Sequence, residues 1–155
     1  MGAVKMLNFI STEAQLTSYD LDRVERLTGL KWPNSYKQHL LSYNGGQCSP
    51  NVFSFYEDGR QMTSCVDWFL AIYNGEYDNL EIYIKWYKLD AQRIPARMLP
   101  IAHDPGGNLV CISCDTPDFG AVYFWDHEKE ESYLIGGSES ANLYKIADGF
   151  VAFLD

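Results

Sequence analysis

The chain has 155 residues, of which 46% are hydrophobic, 15% aromatic and 21% charged; this sizes it as one domain and makes it too apolar and ring-rich for a disordered chain. Its 21 acidic against 12 basic side chains give a formal charge of −9, which repels a phosphate backbone and argues against direct nucleic-acid binding. No apolar run approaches the roughly 20 residues of a membrane span, and no basic segment leads into an apolar one at the N-terminus, so a cytoplasmic protein with no membrane partner is expected.

Along the chain, Ser18 or Asp20 is placed to cap a helix with Leu21, Val24 and Leu27 on its apolar face and Gly29 as its stop. Trp32-Pro33 opens a second helix carrying Tyr36, Leu40 and Tyr43, and Asn44-Gly45-Gly46 ends it. Val52–Phe55 reads as a strand closed by the turn Glu57-Asp58-Gly59. Thr63 or Ser64 then caps a predicted helix bearing Val66, Phe69, Leu70 and Tyr73, with Asn74-Gly75 at its end. Residues 79–92 fit both periods: Leu80, Ile82, Ile84 and Trp86 alternate as a strand, while Leu80, Tyr83, Ile84 and Tyr87 keep helical spacing, and length favours the helix.

Beyond Pro95, the segments 98–102, 109–112, 122–125 and 133–135 are short, apolar and bounded by Gly, Pro or Asp, as in an antiparallel meander. Leu143, Ile146, Ala147, Phe150 and Phe153 predict a C-terminal helix with Gly149 inside it. The expected fold is therefore a single α+β domain over residues 1–155. A mainly antiparallel sheet of about five to six short strands carries an N-terminal helix pair and a C-terminal helix packed against it.

Charge is unevenly placed: residues 57–81 carry −5 and 101–131 carry −6, on either side of a segment, 82–100, that carries +3. Clustering of this kind tilts the reading toward a cationic partner, although acidic runs also serve as plain solubilising surface.

Four motifs keep a fixed order. Trp32-Pro33-Asn34-Ser35-Tyr36-Lys37 is followed by Asn44-Gly45-Gly46; then comes Leu99-Pro100-Ile101-Ala102-His103-Asp104-Pro105-Gly106-Gly107-Asn108, and then the run from Gly120 through Trp125 to Glu128. In this order and spacing the chain, from about residue 20 to 155, resembles the SUKH superfamily, which includes yeast cell-wall glucan-synthesis regulators and bacterial toxin-immunity proteins. Trp32 departs from the leucine more common before the proline in that family. The residues themselves have architectural readings: Pro33 starts a helix, Asn44-Gly45-Gly46 stops it, and Gly106-Gly107-Asn108 joins two strands. Trp32, Tyr36, Pro100 and Asp104 complete this structural set.

The resemblance implies a non-catalytic adaptor that binds and neutralises a cognate toxin, often a nuclease, by stoichiometric occlusion. A negative face would steer onto a cationic active site. Glu57, Asp58, Glu76, Asp78, Asp126, Glu128, Glu130 and Glu131 are the candidate contacts, with Tyr56 and Trp125 as aromatic anchors. The alternative is a regulatory scaffold like the yeast relatives; a third reading is a hydrolytic enzyme built on His103 and His127. The oligomeric state is left open.

Other constellations favour bland readings. Cys111-Ile112-Ser113-Cys114 lacks a second ligand pair, and residues i and i+3 of a strand face opposite sides, so no metal or cofactor is expected and buried thiols are. Cys48 and Cys65 read likewise as reduced. Asp104 and Asp126 suit turns at strand ends. Gly136-Gly137-Ser138 lacks a phosphate-binding signature, though it precedes a predicted helix. Tyr83, Trp86 and Tyr87, interleaved with Lys85, Lys88, Arg93 and Arg97, form a basic-aromatic stretch. Between acidic blocks it is expected to form salt bridges or a solvated helix side.

Overall fold

The computed structural model describes residues 7–129 and 142–154. The elements in order are β1 (Asn8–Ile10), α1 (Ser18–Thr28), α2 (Asn34–Ser42), β2 (Gln47–Ser49), β3 (Val52–Glu57), β4 (Arg60–Cys65), β5 (Trp68–Phe69), α3 (Leu80–Ile84), β6 (Met98–His103), β7 (Leu109–Ser113), β8 (Val122–Trp125), β9 (Leu143–Ala147) and α4 (Phe150–Leu154). A π-helical turn, Lys85–Leu89, prolongs α3. An antiparallel sheet in the order β5-β6-β7-β8-β9 forms the centre, and the two-stranded β1-β2 pair, whose strands are separated in the chain by α1 and α2, and the β3-β4 hairpin lie outside it. The fold is α+β, as the motif order predicts.

Both faces of the central sheet are covered, which explains why β7 is buried at every residue and reads as a continuous apolar run from Leu109 to Ile112. On one face Leu99, Ile101, Val110, Ile112 and Val122 meet Leu21 and Val24 of α1, Tyr36 and Leu40 of α2, and Phe150 of α4. On the other, Met98, Leu109, Cys111, Trp125 and Leu143 form a smaller core closed by Tyr83 and Tyr87 of the α3 segment. Pro100 sits in β6 although proline cannot donate to a ladder; a bulge between Pro100 and Ala102 frees the Ile101 carbonyl, which accepts from Leu70 N at 2.9 Å.

The N-terminal helices follow the sequence with local corrections. The N-cap of α1 is Thr17, not Ser18 or Asp20: its hydroxyl accepts from Asp20 N while Asp20 accepts from Thr17 N, a reciprocal capping box. Gly29 closes the helix in the left-handed region at φ 67°. Leu27 and Tyr43, assigned to apolar faces, are exposed. Pro33 stands at the N-cap of α2 rather than its first turn.

Two predicted helices are corrected: the one expected from Thr63 or Ser64 to Tyr73 has no helical residue, and the C-terminal one is helical only in its second half. Residues 60–65 form β4, because Asp58 and Gly59 both take positive φ (52° and 77°) in a two-residue turn that returns the chain directly onto β3. The helical spacing of Val66, Phe69, Leu70 and Tyr73 arises from an extended run that crosses the sheet edge; Trp68 and Phe69 pair with His103 and Ala102. Residues 143–147 form β9, paired with β8, so the C-terminal helix begins only at Phe150, after Gly149. The ambiguous segment from residue 80 is helical, as its length suggested. The predicted strand 133–135 and the Gly136-Gly137-Ser138 turn lie outside the described residues.

Candidate partner-binding surface

Asp104 organises one end of the sheet. Its carboxylate, on a residue only 5% exposed, accepts from Gly106 N (2.9 Å) and Asn108 N (2.8 Å) through Oδ1, and from Asn108 Nδ2 and Ser64 Oγ (both 3.0 Å) through Oδ2. Asn108 Oδ1 in turn accepts from His127 N at 3.0 Å, and His127 Nε2 lies 2.8 Å from the Gly106 carbonyl. The Asp104–Asn108 motif therefore ties β4, the β6-β7 turn and the exit of β8 together. Asp126 has a similar role, accepting from Glu128 N at 3.0 Å. His103 Nδ1 lies 3.0 Å from the Asp104 carbonyl, its Nε2 contacts the Asp78 carboxylate, and its ring stacks on Tyr83. Each imidazole is thus bonded to a backbone carbonyl of this turn.

Asp78 belongs to a loop, residues 73–79, held in shape by Asn79. The Asn79 side chain donates to Tyr73 O and Gly75 O (both 2.9 Å) while accepting from Ile82 N at the start of α3. The Tyr73 hydroxyl donates to Tyr77 O, and Asp78 takes a positive φ of 53°. On the other side Asn44, buried at the end of α2, donates to Ala14 O and Ile72 O and accepts from Ile72 N. Gly45 and Gly46 then pass so close to their neighbours that a Cβ would stand 2.6 Å from Ala71 Cβ or 2.5 Å from Ile10 O. Beyond stopping a helix, Asn44-Gly45-Gly46 lets the N-terminal segment approach β5. Between these segments lies a cleft of about 230 Å³, whose lining includes Glu13, Trp68, Tyr73, Tyr77 and Asp78.

The structure separates the predicted contact residues into groups. Tyr56, Glu57 and Asp58 stand at the tip of the β3-β4 hairpin; Tyr56 is exposed, and Glu57 accepts from the Tyr144 hydroxyl of β9 at 3.2 Å. Four strand residues separate this tip from the Ser64–Asp104 contact, about 14 Å at about 3.4 Å per residue. Glu76 and Asp78 share the 73–79 loop, whereas Asp126 and Glu128 follow β8. Trp125 is not an exposed anchor: it is 0% exposed and sits edge-on to Tyr87 in the second core, because position 125 of β8 points to the covered face. Glu130 and Glu131 lie outside the described residues. Sequence reasoning missed Glu13, Trp68, Tyr73 and Tyr77; Tyr77 lies between two residues it did select, but Glu13 and Trp68 join the cleft through tertiary contact alone.

The basic-aromatic stretch turns largely onto the protein itself. Arg97 pairs with Asp118 at 3.1 Å, the Arg93 guanidinium lies 4.3 Å from the Tyr87 ring centre, and Lys88 Nζ donates to Ala96 O at 2.7 Å. Burial pushes the Asp118 carboxyl up, but hydrogen bonds from Arg97, Tyr123 and Ser113 outweigh it and hold the group at about 2. Lys85 and Trp86 are exposed. Cys111 packs in the second core and Cys114 in the first, on opposite faces as the strand period requires. Burial raises both thiols, Cys114 up to about 12, which disfavours the thiolate that metal binding or redox exchange needs. Among the described residues no helix is long and apolar enough to cross a membrane.

Comparison with known proteins adds two findings. A family model described as SMI1 / KNR4 family (SUKH-1) matches residues 15–155. The chain is also similar to a Bacillus subtilis (strain 168) protein described as SPbeta prophage-derived uncharacterized protein YokK, at 24% identity over 156 residues, covering 85% of this chain and 75% of the relative.

Proposed function

This chain belongs to the SMI1 / KNR4 family (SUKH-1), and from that membership we propose that it is an immunity protein. It binds a cognate toxin, most simply a nuclease with a cationic substrate cleft, and neutralises it by covering that cleft in the cytoplasm, without catalysis of its own. The observation that carries this reading is the disposition of charge. The molecule holds −9, and the cations of its one basic segment are largely engaged internally, Arg97 with Asp118, Arg93 with Tyr87 and Lys88 with Ala96. The −5 of residues 57–81 and the −6 of residues 101–131 therefore stay well in excess of the +3 of that segment. A surface of this kind raises the rate of encounter with a cationic protein and rejects nucleic acid. The prophage origin named for the relative suits a protein encoded beside a toxin on a mobile element.

The test is co-expression with the toxin encoded by the neighbouring gene. Growth should be restored, and the purified pair should elute as one stoichiometric complex. A toxin that remains lethal and unbound at equal expression overturns the proposal.

A further inference from the structure

The cleft at the β5 edge carries features that the toxin-binding reading alone does not require. Its walls come from three separate stretches of chain: Glu13 from the segment after β1, Trp68 from β5, and Tyr73, Tyr77 and Asp78 from the loop before α3. It is built rather than incidental. Asn44 and Asn79, both buried, hold its two sides through hydrogen bonds to backbone groups of residues 14, 72, 73 and 75. Although it stands open to solvent, four of its lining side chains are aromatic, Trp68, Phe69, Tyr73 and Tyr77, with Tyr77 left 77% exposed. Two carboxylates share the space, and among the described residues that line it none is lysine or arginine.

Aromatic faces and carboxylates around one concavity select for a flat cation. A guanidinium stacks on rings through its face while its edge donates two parallel hydrogen bonds to a carboxylate; an ammonium offers a compact, strongly hydrated charge that fits such a site less well. We propose that this cleft receives an arginine side chain of the bound toxin, with Trp68 and Tyr77 as the stacking faces and Glu13 and Asp78 as the acceptors. The inference rests on the toxin-binding reading for the source of the arginine, and it gives that interface an anchor: a central arginine in a preformed aromatic cleft is the kind of contact that dominates binding energy. His103 backs Asp78 from inside the protein and holds its carboxylate in place.

The cleft is tested without the toxin by titrating isotopically labelled protein with arginine amide and following the indole N–H signal of Trp68, with the buried Trp32 and Trp125 as internal controls. Citrulline amide, a neutral analogue of the same shape, and lysine amide are the comparison ligands. The expected result is a saturable shift of Trp68 with arginine amide, a weaker one with lysine amide, none with citrulline amide, and loss of the shift in Glu13→Gln/Tyr77→Ala, whose changes lie at exposed positions. No shift, an equal shift with citrulline amide, or an unchanged shift in the double variant overturns the proposal. In the co-expression assay the same variant should weaken the toxin complex by about tenfold or more. Arginine binding without toxin rescue rejects the immunity reading and leaves the cleft standing; rescue and an unweakened complex in the double variant reject the cleft and leave the immunity reading.

Discussion

His39 of α2 sits among four rings, with centroids 4.9 Å from Phe9 and Phe150, 5.5 Å from Tyr43 and 5.7 Å from Phe69. Burial in this apolar setting lowers its imidazole to about 4, against an ordinary value of 6.5. Since the folded value lies below the unfolded one, the unfolded chain binds the proton first, and the stability linked to neutral His39 is complete above pH 6.5 and lost as pH falls toward 4. At about 1.4 kcal/mol per unit, the loss approaches about 3 kcal/mol. Urea unfolding of the native protein and His39→Phe at pH 7.5 and 4.5 checks this: the native protein should lose about 2–3 kcal/mol more than the variant over that interval. Equal losses would place His39 in contact with solvent.

Asn44 makes the same point about a polar group. Removing its amide in Asn44→Ala strands the Ile72 N–H and carbonyl, which it satisfies at 2.8 and 2.9 Å in a buried position. The expected cost is about 2–4 kcal/mol, read as a lower urea midpoint with an unchanged slope.

At the scale of elements, the turn between β6 and β7 is the junction on which the most pieces depend. One carboxylate, that of Asp104, serves two backbone N–H groups within the turn, the Asn108 amide and the Ser64 hydroxyl of β4. Asp104→Ala should therefore lower the stability of the whole domain by about 2–4 kcal/mol and, by releasing β4, expose the amides of the β3-β4 hairpin to hydrogen exchange before the rest of the sheet. Uniform exchange across both sheets would show that the hairpin is held by its ring contacts, Phe53 and Phe55 on Phe124, and not by this carboxylate. The same scale explains which elements were legible. Gly29, the Asp58-Gly59 turn and the strands 98–103, 109–113 and 122–125 carry their own local signals, and all are found where those signals stand. The strands at 60–65 and 143–147 do not. Val66, Phe69 and Leu70, just beyond the first, happen to recur at helical intervals, and Leu143, Ile146 and Ala147 do so as well, while the extended conformation is set by pairing with distant strands: 60–65 with β3, Trp68 and Phe69 with β6, and 143–147 with β8.

For the whole molecule, the sign and size of the net charge set how it meets a partner. If the acidic loops steer association with a cationic toxin, the association rate should fall by about tenfold or more between low salt and about 0.5 M salt, with a smaller change in the dissociation rate, as measured by stopped-flow fluorescence. A rate insensitive to salt would mean that the charge serves solubility alone.

The caps, turns and apolar strands, the family resemblance and the acidic character follow from neighbours in the chain, since a capping hydroxyl, a glycine at positive φ or a run of like charge acts over a few residues. The candidate site does not. Trp125 looked like an anchor in the sequence and lies in the core because the second face of the sheet is covered by the segment after α3; Glu13, Trp68 and Asp78 looked unrelated and share one cleft because Asn44, Gly46 and Asn79 draw three distant segments to the edge of β5. Which side chains face a partner depends on which surfaces the rest of the chain leaves uncovered, and packing decides that, not the period of any single segment.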